Sequence, residues 1–119
     1  MTREGVNGKA ELALLSDFYG GLLTDHQRRI LSLYCEEDYS LGEIAEEVGI
    51  SRQAVHESLS RAASRLSSLE EALGVAERFR RMESGLESAL GALRNHDYIL
   101  AERVLEDLLR LDQEEKNGL

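Results

Sequence analysis

Ser51-Arg52-Gln53 and His56 place side chains able to read nucleic-acid edges directly behind a glycine, Gly49. An arginine fork can grip O6 and N7 of guanine, and a glutamine amide can do the same for N6 and N7 of adenine. A serine at the start of a helix can join the backbone amides there in holding a phosphate. Ser60, Arg61 and Arg65 follow on the same predicted helix, so the candidate nucleic-acid-binding residues are Ser51, Arg52, Gln53, His56, Ser60, Arg61 and Arg65. Between residues 51 and 69 these three arginines stand against the single Glu57, in a chain of formal net charge −9. Arg28 and Arg29 are positioned in sequence to flank them. The acidity of the chain excludes indiscriminate coating of nucleic acid, because neutralising phosphates takes clustered Lys and Arg. It leaves room for one local basic element.

Such side chains are useful only on a rigid helix held out to solvent, and the apolar pattern supplies one. Ser40-Leu41-Gly42-Glu43 has the S-x-x-E form of a capping box. It predicts a short helix over 41–48 with Leu41, Ile44, Ala45 and Val48 inward and Glu43, Glu46 and Glu47 outward. Gly49 is the residue best able to take the positive φ of a helix-ending turn. Ser51 caps the next helix, in which Val55, Leu59, Ala62, Leu66, Leu69 and Leu73 recur at spacings of 4, 3, 4, 3 and 4. That is a heptad seam, and it predicts a long helix over 52–73. Ala45 at the close crossing, Gly49 at the turn and Val55 as a branched anchor meet the requirements of a helix-turn-helix. The seam can pack against the chain's own C-terminal half, or part of it, or the leucine-rich face of Leu100 to Leu111, can join two subunits into a symmetric dimer.

Upstream, Leu12, Leu15 and Tyr19 predict a helix over 10–19 that ends at Gly20-Gly21, and Thr24 caps a second over 24–36. Downstream of Gly74, apolar residues from Val75 to Leu93 again recur at helical spacing, although Gly85 and Gly91 each cost about 1 kcal/mol relative to alanine. Asn95-His96-Asp97 reads as a tight turn, and Leu100, Val104, Leu108 and Leu111 mark a last helix before a polar tail from Gln113 to Leu119. The 119 residues contain no proline and 5% aromatics. The expected fold class is therefore all-α: a helix-turn-helix module over 9–73 with a long recognition helix, then a C-terminal helical hairpin over 74–119.

Other chemistry finds little footing. The adjacent acidic residues Glu36-Glu37-Asp38, Glu46-Glu47, Glu70-Glu71 and Glu114-Glu115 belong to solvated faces or helix ends and have no companion nucleophile, so no catalytic residue is assigned. His26, His56 and His96 lack zinc-site spacing, and Cys35 has no second cysteine, so neither a metal nor a cofactor is expected. Phosphate-loop, dinucleotide and nucleophile-elbow signatures are missing. No apolar run reaches the roughly 18 residues of a membrane span, and the polar start lacks a secretory core, which makes the cytoplasm the expected compartment.

The stretch LLSDFYGGLLTDHQRRILSLYCEEDYSLGEIAEEVGISRQAVHESLSRAASRL resembles the YlxM family of small bacterial proteins, which are similar to region 4 of sigma factors. D-F-Y, L-L-T, D-Y-S-L-G-E-I-A-E-E and S-R-Q-A-V carry the resemblance, which extends more weakly through LEEALGVAERFRRM. It implies a sigma region 4-like helix-turn-helix and a role in the signal recognition particle pathway, inferred for the family from gene neighbourhood. By the same resemblance Arg52, Gln53 and His56 occupy the exposed start of the recognition helix, and Asp38, Tyr39, Ser40 and Glu43 the turn that leads into the motif. Residues and resemblance together point to a non-enzymatic regulator that binds DNA or signal recognition particle RNA. The alternative is an interaction module that docks on the particle's GTPase through acidic faces such as Glu46, Glu47 and Glu57. A homodimer suits either, and a structural dimer without nucleic-acid affinity is the third reading.

Overall fold

The computed structural model describes residues 8–118, with side chains through residue 114. It is all-helical. In order come α1 (Lys9–Tyr19), a 3-10 turn (Gly20–Leu22), α2 (Asp25–Cys35), α3 (Leu41–Val48), α4 (Arg52–Leu73), α5 (Val75–Arg94) and α6 (Tyr98–Gly118). Two compact units result, the first ending at Ala76 and the second beginning at Glu77.

In the first unit the caps set the helix starts. Thr24 Oγ1 accepts from the Gln27 amide at 3.1 Å while the Gln27 side chain accepts from the Thr24 amide at 3.1 Å, a reciprocal box that satisfies two otherwise orphan donors. Leu12, Leu15, Tyr19, Leu31, Ala62 and Leu66 share one core, which joins α1, α2 and α4. Ile30, Ile44, Ala45 and Val55 form a second, which seats α3 on α2 and α4. The heptad seam of α4 is therefore consumed inside this unit: Val55, Ala62 and Leu66 are fully buried against α1, α2 and α3. Leu59 and Leu69 pack against the same cores, and Leu73, the last position of the seam, keeps 49% of its surface exposed. The glycine pair after α1 is wound into the 3-10 turn, closed by a bond from the Leu23 amide to the Gly20 carbonyl at 3.0 Å.

The second unit is an antiparallel hairpin of α5 and α6. Its turn takes His96 to φ 60°, and Asp97 Oδ1 accepts from the Leu100 amide at 3.1 Å to start α6. Gly85 and Gly91 do not interrupt α5. Gly85 is a close approach, since a Cβ there would lie 2.5 Å from Leu108 Cδ2. The expected polar tail is helical through Gly118, because Gln113, Glu114, Glu115 and Lys116 are all good helix formers and no proline stops them. Among the described residues no helix is long and apolar enough to cross a membrane.

Candidate nucleic-acid interface

The turn between α3 and α4 is built from local chemistry. At the start of α3, Ser40 Oγ accepts from the Glu43 amide at 3.1 Å and Glu43 Oε1 accepts from the Ser40 amide at 2.8 Å. At its end Gly49 sits at φ 82°, ψ 34°, and the amides of Gly49 and Ile50 both donate to the Ala45 carbonyl, at 2.9 and 3.1 Å. The left-handed conformation turns the chain within two residues, so Ser51 can open α4 with its Oγ accepting from the Ala54 amide at 3.0 Å. Val55 and Ile44, both at 0% exposure, pin the two helices together below the turn. Ala45 is buried at the crossing, where a larger side chain would push them apart.

All seven candidate residues are exposed: Ser51, Arg52, Gln53, His56, Ser60, Arg61 and Arg65. They do not share one face. With about 100° per residue, Gln53, His56 and Ser60 fall within one stripe opposite the buried Val55, Ala62 and Leu66. Arg52 lies on one edge of that stripe, with its Cδ and Nε 3.9 Å from where a Cβ on Gly42 would stand, so its stem runs over the start of α3. Arg61 and Arg65 lie on the other edge, beyond Glu57, whose Oε2 receives a hydrogen bond from Gln53 Nε2 at 3.5 Å. The arrangement is a polar stripe between two basic margins, the form a recognition helix needs to meet base edges in a groove while its flanks meet the phosphates on either side.

Nearby charges qualify it. Arg28 is paired with Asp25, and Arg29 NH2 stands 3.7 Å from Glu47 Oε2, so both flanking arginines face an acidic partner. Glu43, Glu46 and Glu47 are exposed on α3. They form a negative border on α3 beside the first turns of α4. Lys9 stands 4.5 Å over the Tyr34 ring and pairs with Asp38, which fixes α1 to the turn before α3. That pairing raises the Lys9 ammonium above, and holds the Asp38 carboxyl below, their ordinary values. Asp38 takes φ 58°, a left-handed conformation that the resemblance places in the leading turn without explaining. Tyr39 packs at the edge of the second core.

Sequence reasoning missed two features. The split between the margins was available from the spacing, because residues 52 and 61 are nine apart and nine steps carry a helix half a turn out of phase. The buttress at the far end of α4, where the Tyr19 hydroxyl donates to Glu70 Oε1 at 2.6 Å and accepts from the Val75 amide at 3.0 Å, joins residues too distant in sequence for local spacing to pair them. Among the described residues no group of three His, Cys, Asp or Glu side chains is placed to hold a metal ion. Cys35 is half-buried, and that burial pushes its thiol up in pKa, away from the reactive thiolate.

A family model described as "Putative helix-turn-helix protein, YlxM / p13 like" matches residues 6–104. Among curated relatives, a UPF0122 protein of Desulforamulus reducens is 41% identical over 87 residues, 73% of this chain and 74% of that protein. One from Acetivibrio thermocellus is 54% identical over 69 residues, 58% of this chain and 59% of the relative. One from Symbiobacterium thermophilum is 46% identical over 98 residues, covering 82% and 91% respectively. The matched segments include the whole of α3 and α4 in the family model.

Proposed function

This chain belongs to the YlxM / p13-like helix-turn-helix family, and we propose that it is a non-enzymatic regulator whose α4 binds nucleic acid in the manner of a sigma region 4 recognition helix. The observation that carries this reading is the exposed Gln53, His56 and Ser60 stripe between the Arg52 margin and the Arg61 and Arg65 margin. Gln53 and His56 meet base edges, with Arg52 reaching in beside them. Ser51, Arg61 and Arg65 meet phosphates, and Ser60 extends the contact line. Glu57, in the middle of the face, can accept from the amino group of cytosine and repels a phosphate placed over it. The resemblance brings duplex DNA and signal recognition particle RNA forward as ligands, while composition brings forward the cytoplasm as the compartment and the apolar helix spacing a homodimer as the working form.

Fluorescence anisotropy of labelled duplex DNA and of labelled signal recognition particle RNA across a salt series tests it. Arg61→Ala and Arg65→Ala should each weaken binding and lower the salt slope by about 1, the value of one lost phosphate contact. Gln53→Ala should cost about 1–3 kcal/mol on the preferred sequence and leave the slope unchanged. Slopes untouched by both arginine variants would refute the assignment.

One observation favours a second reading: the exposed Glu46 and Glu47 on α3, beside a chain of net charge −9, offer a negative surface to a basic protein. In that reading the module docks on the signal recognition particle GTPase. Glu46→Lys with Glu47→Lys should then slow association with the purified GTPase; an unaltered rate would remove the electrostatic version.

A further inference from the structure

The hydrogen bond between His26 and Ser58 joins α2 to α4 at the edge of the candidate interface. His26 is exposed in the first turn of α2, and its Nε2 lies 3.1 Å from the Oγ of Ser58, which is half-buried on α4. The core beneath explains the meeting: Ile30, one turn after His26, and Val55, three residues before Ser58, are buried in the same cluster. Ser58, Arg61 and Arg65 follow one another at i, i+3 and i+7, a single line along α4. The ring therefore stands beside the arginine margin, carried there by a different helix. The charged side chains on the elements that meet here are Asp25 and Arg29 of α2, Glu47 of α3, and Glu57, Arg61 and Arg65 of α4. Each carboxylate is engaged elsewhere: Asp25 with Arg28, Glu47 with Arg29, and Glu57 with the Gln53 amide. Asp17 and Glu36 line the cleft with Arg28 between α1 and α2, on the far side of α2. Arg61 and Arg65 make no ion pair among the described residues, and His26 Nδ1 has no partner among them either.

We propose that His26 is a further nucleic-acid-binding residue, donating from Nδ1 to a backbone phosphate beside those held by Arg61 and Arg65, an inference that rests on the reading of α4 as the binding helix. Ser58 holds the ring in either charge state. Its hydroxyl can donate to Nε2, which leaves the ring hydrogen on Nδ1, or accept from Nε2 of the imidazolium, which donates from both nitrogens. A phosphate thus meets a donor whichever form is present, and a full positive charge only when the ring is protonated. Histidine makes that change between about pH 8 and about pH 5. Binding through His26 therefore tightens as pH falls, and in acid it counts one more charged phosphate contact.

Fluorescence anisotropy of labelled mixed-sequence DNA and RNA duplexes, across a salt series at about pH 5.5 and about pH 8, tests this. The full chain carrying His56→Gln is the reference, so that the histidine of the reading face adds no charge of its own. Its salt slope should be steeper by about 1 at the lower pH on whichever duplex it binds. Adding His26→Gln should abolish that difference, whereas adding His26→Lys should give the steeper slope at both pH values, which a merely structural histidine would not allow. His96→Asn, in the second unit, should leave the difference intact. A reference slope that ignores pH, a difference that survives His26→Gln, or a His26→Lys chain with the shallow slope would overturn the assignment of His26. If Arg61→Ala still lowers the slope, the reading of α4 stands without it. A chain that binds neither duplex would overturn both.

Discussion

The phenol of Tyr19 ties the end of α1 to the junction of α4 and α5. Its hydroxyl donates to Glu70 Oε1 at 2.6 Å and accepts from the Val75 amide at 3.0 Å, and the same Glu70 oxygen accepts from the Ala76 amide at 3.0 Å. Removing the hydroxyl strands the Val75 amide, so Tyr19→Phe should lower the unfolding free energy by about 1–3 kcal/mol in urea titration. Burial, then the hydrogen bond to Glu70, raises the Tyr19 pKa above 10.0. Its contribution to stability is thus intact below that value and lost as pH rises through the shifted one, and ultraviolet titration should show one of the four tyrosines ionising late. Asp38 runs the other way: held below 3.8 by Lys9, it supports the fold above that pH and stops as pH falls through the lowered value. Asp38→Asn should flatten that acid limb in a pH series of melting temperatures. Neither pair was legible beforehand, because Tyr19 reads as one more apolar helix residue and its partner lies 51 positions away.

Helices and turns were the most legible, and for a physical reason: caps and left-handed turns are decided within four or five residues. The S-x-x-E box at Ser40, the glycine at 49 and the serine at 51 each act on their own neighbours, so α3 and α4 could be bounded from sequence. Gly49→Ala places a Cβ at φ 82° and should cost about 1–2 kcal/mol, although nothing stands within 4 Å of that atom. The two glycines of α5 looked equivalent in sequence and are opposites in the hairpin. Gly91→Ala meets open space and should raise stability by about 0.5–1 kcal/mol. Gly85→Ala drives a Cβ into Leu108 and should lower stability, and the two signs are separable in one set of thermal melts. The difference comes from the facing helix, which the spacing within α5 could not disclose. The continuation of α6 past Gln113 was missed because polarity was read as an ending, whereas helix propensity alone carries it on.

For the protein taken together, composition announced an all-helical chain, since absent prolines and heptad-like apolar spacing leave little room for a sheet. Net charge was less informative than its distribution. The −9 of the chain coexists with an α4 whose margins are arginine and with glutamates that border it along α3. In the proposed reading this layout confines a polyanion to the α4 surface, while Arg28 and Arg29 each face an acidic partner, Asp25 and Glu47. The most direct test follows the backbone amide resonances of the isotope-labelled protein as an unlabelled mixed-sequence DNA duplex is added at low salt. Nucleic-acid binding by α4 predicts shifts concentrated at Ser51–His56 and extending to Ser60, Arg61 and Arg65, and reversed by added salt. Amides of α4 that stay in place, or shifts confined to the Glu46 and Glu47 side of α3, would contradict it.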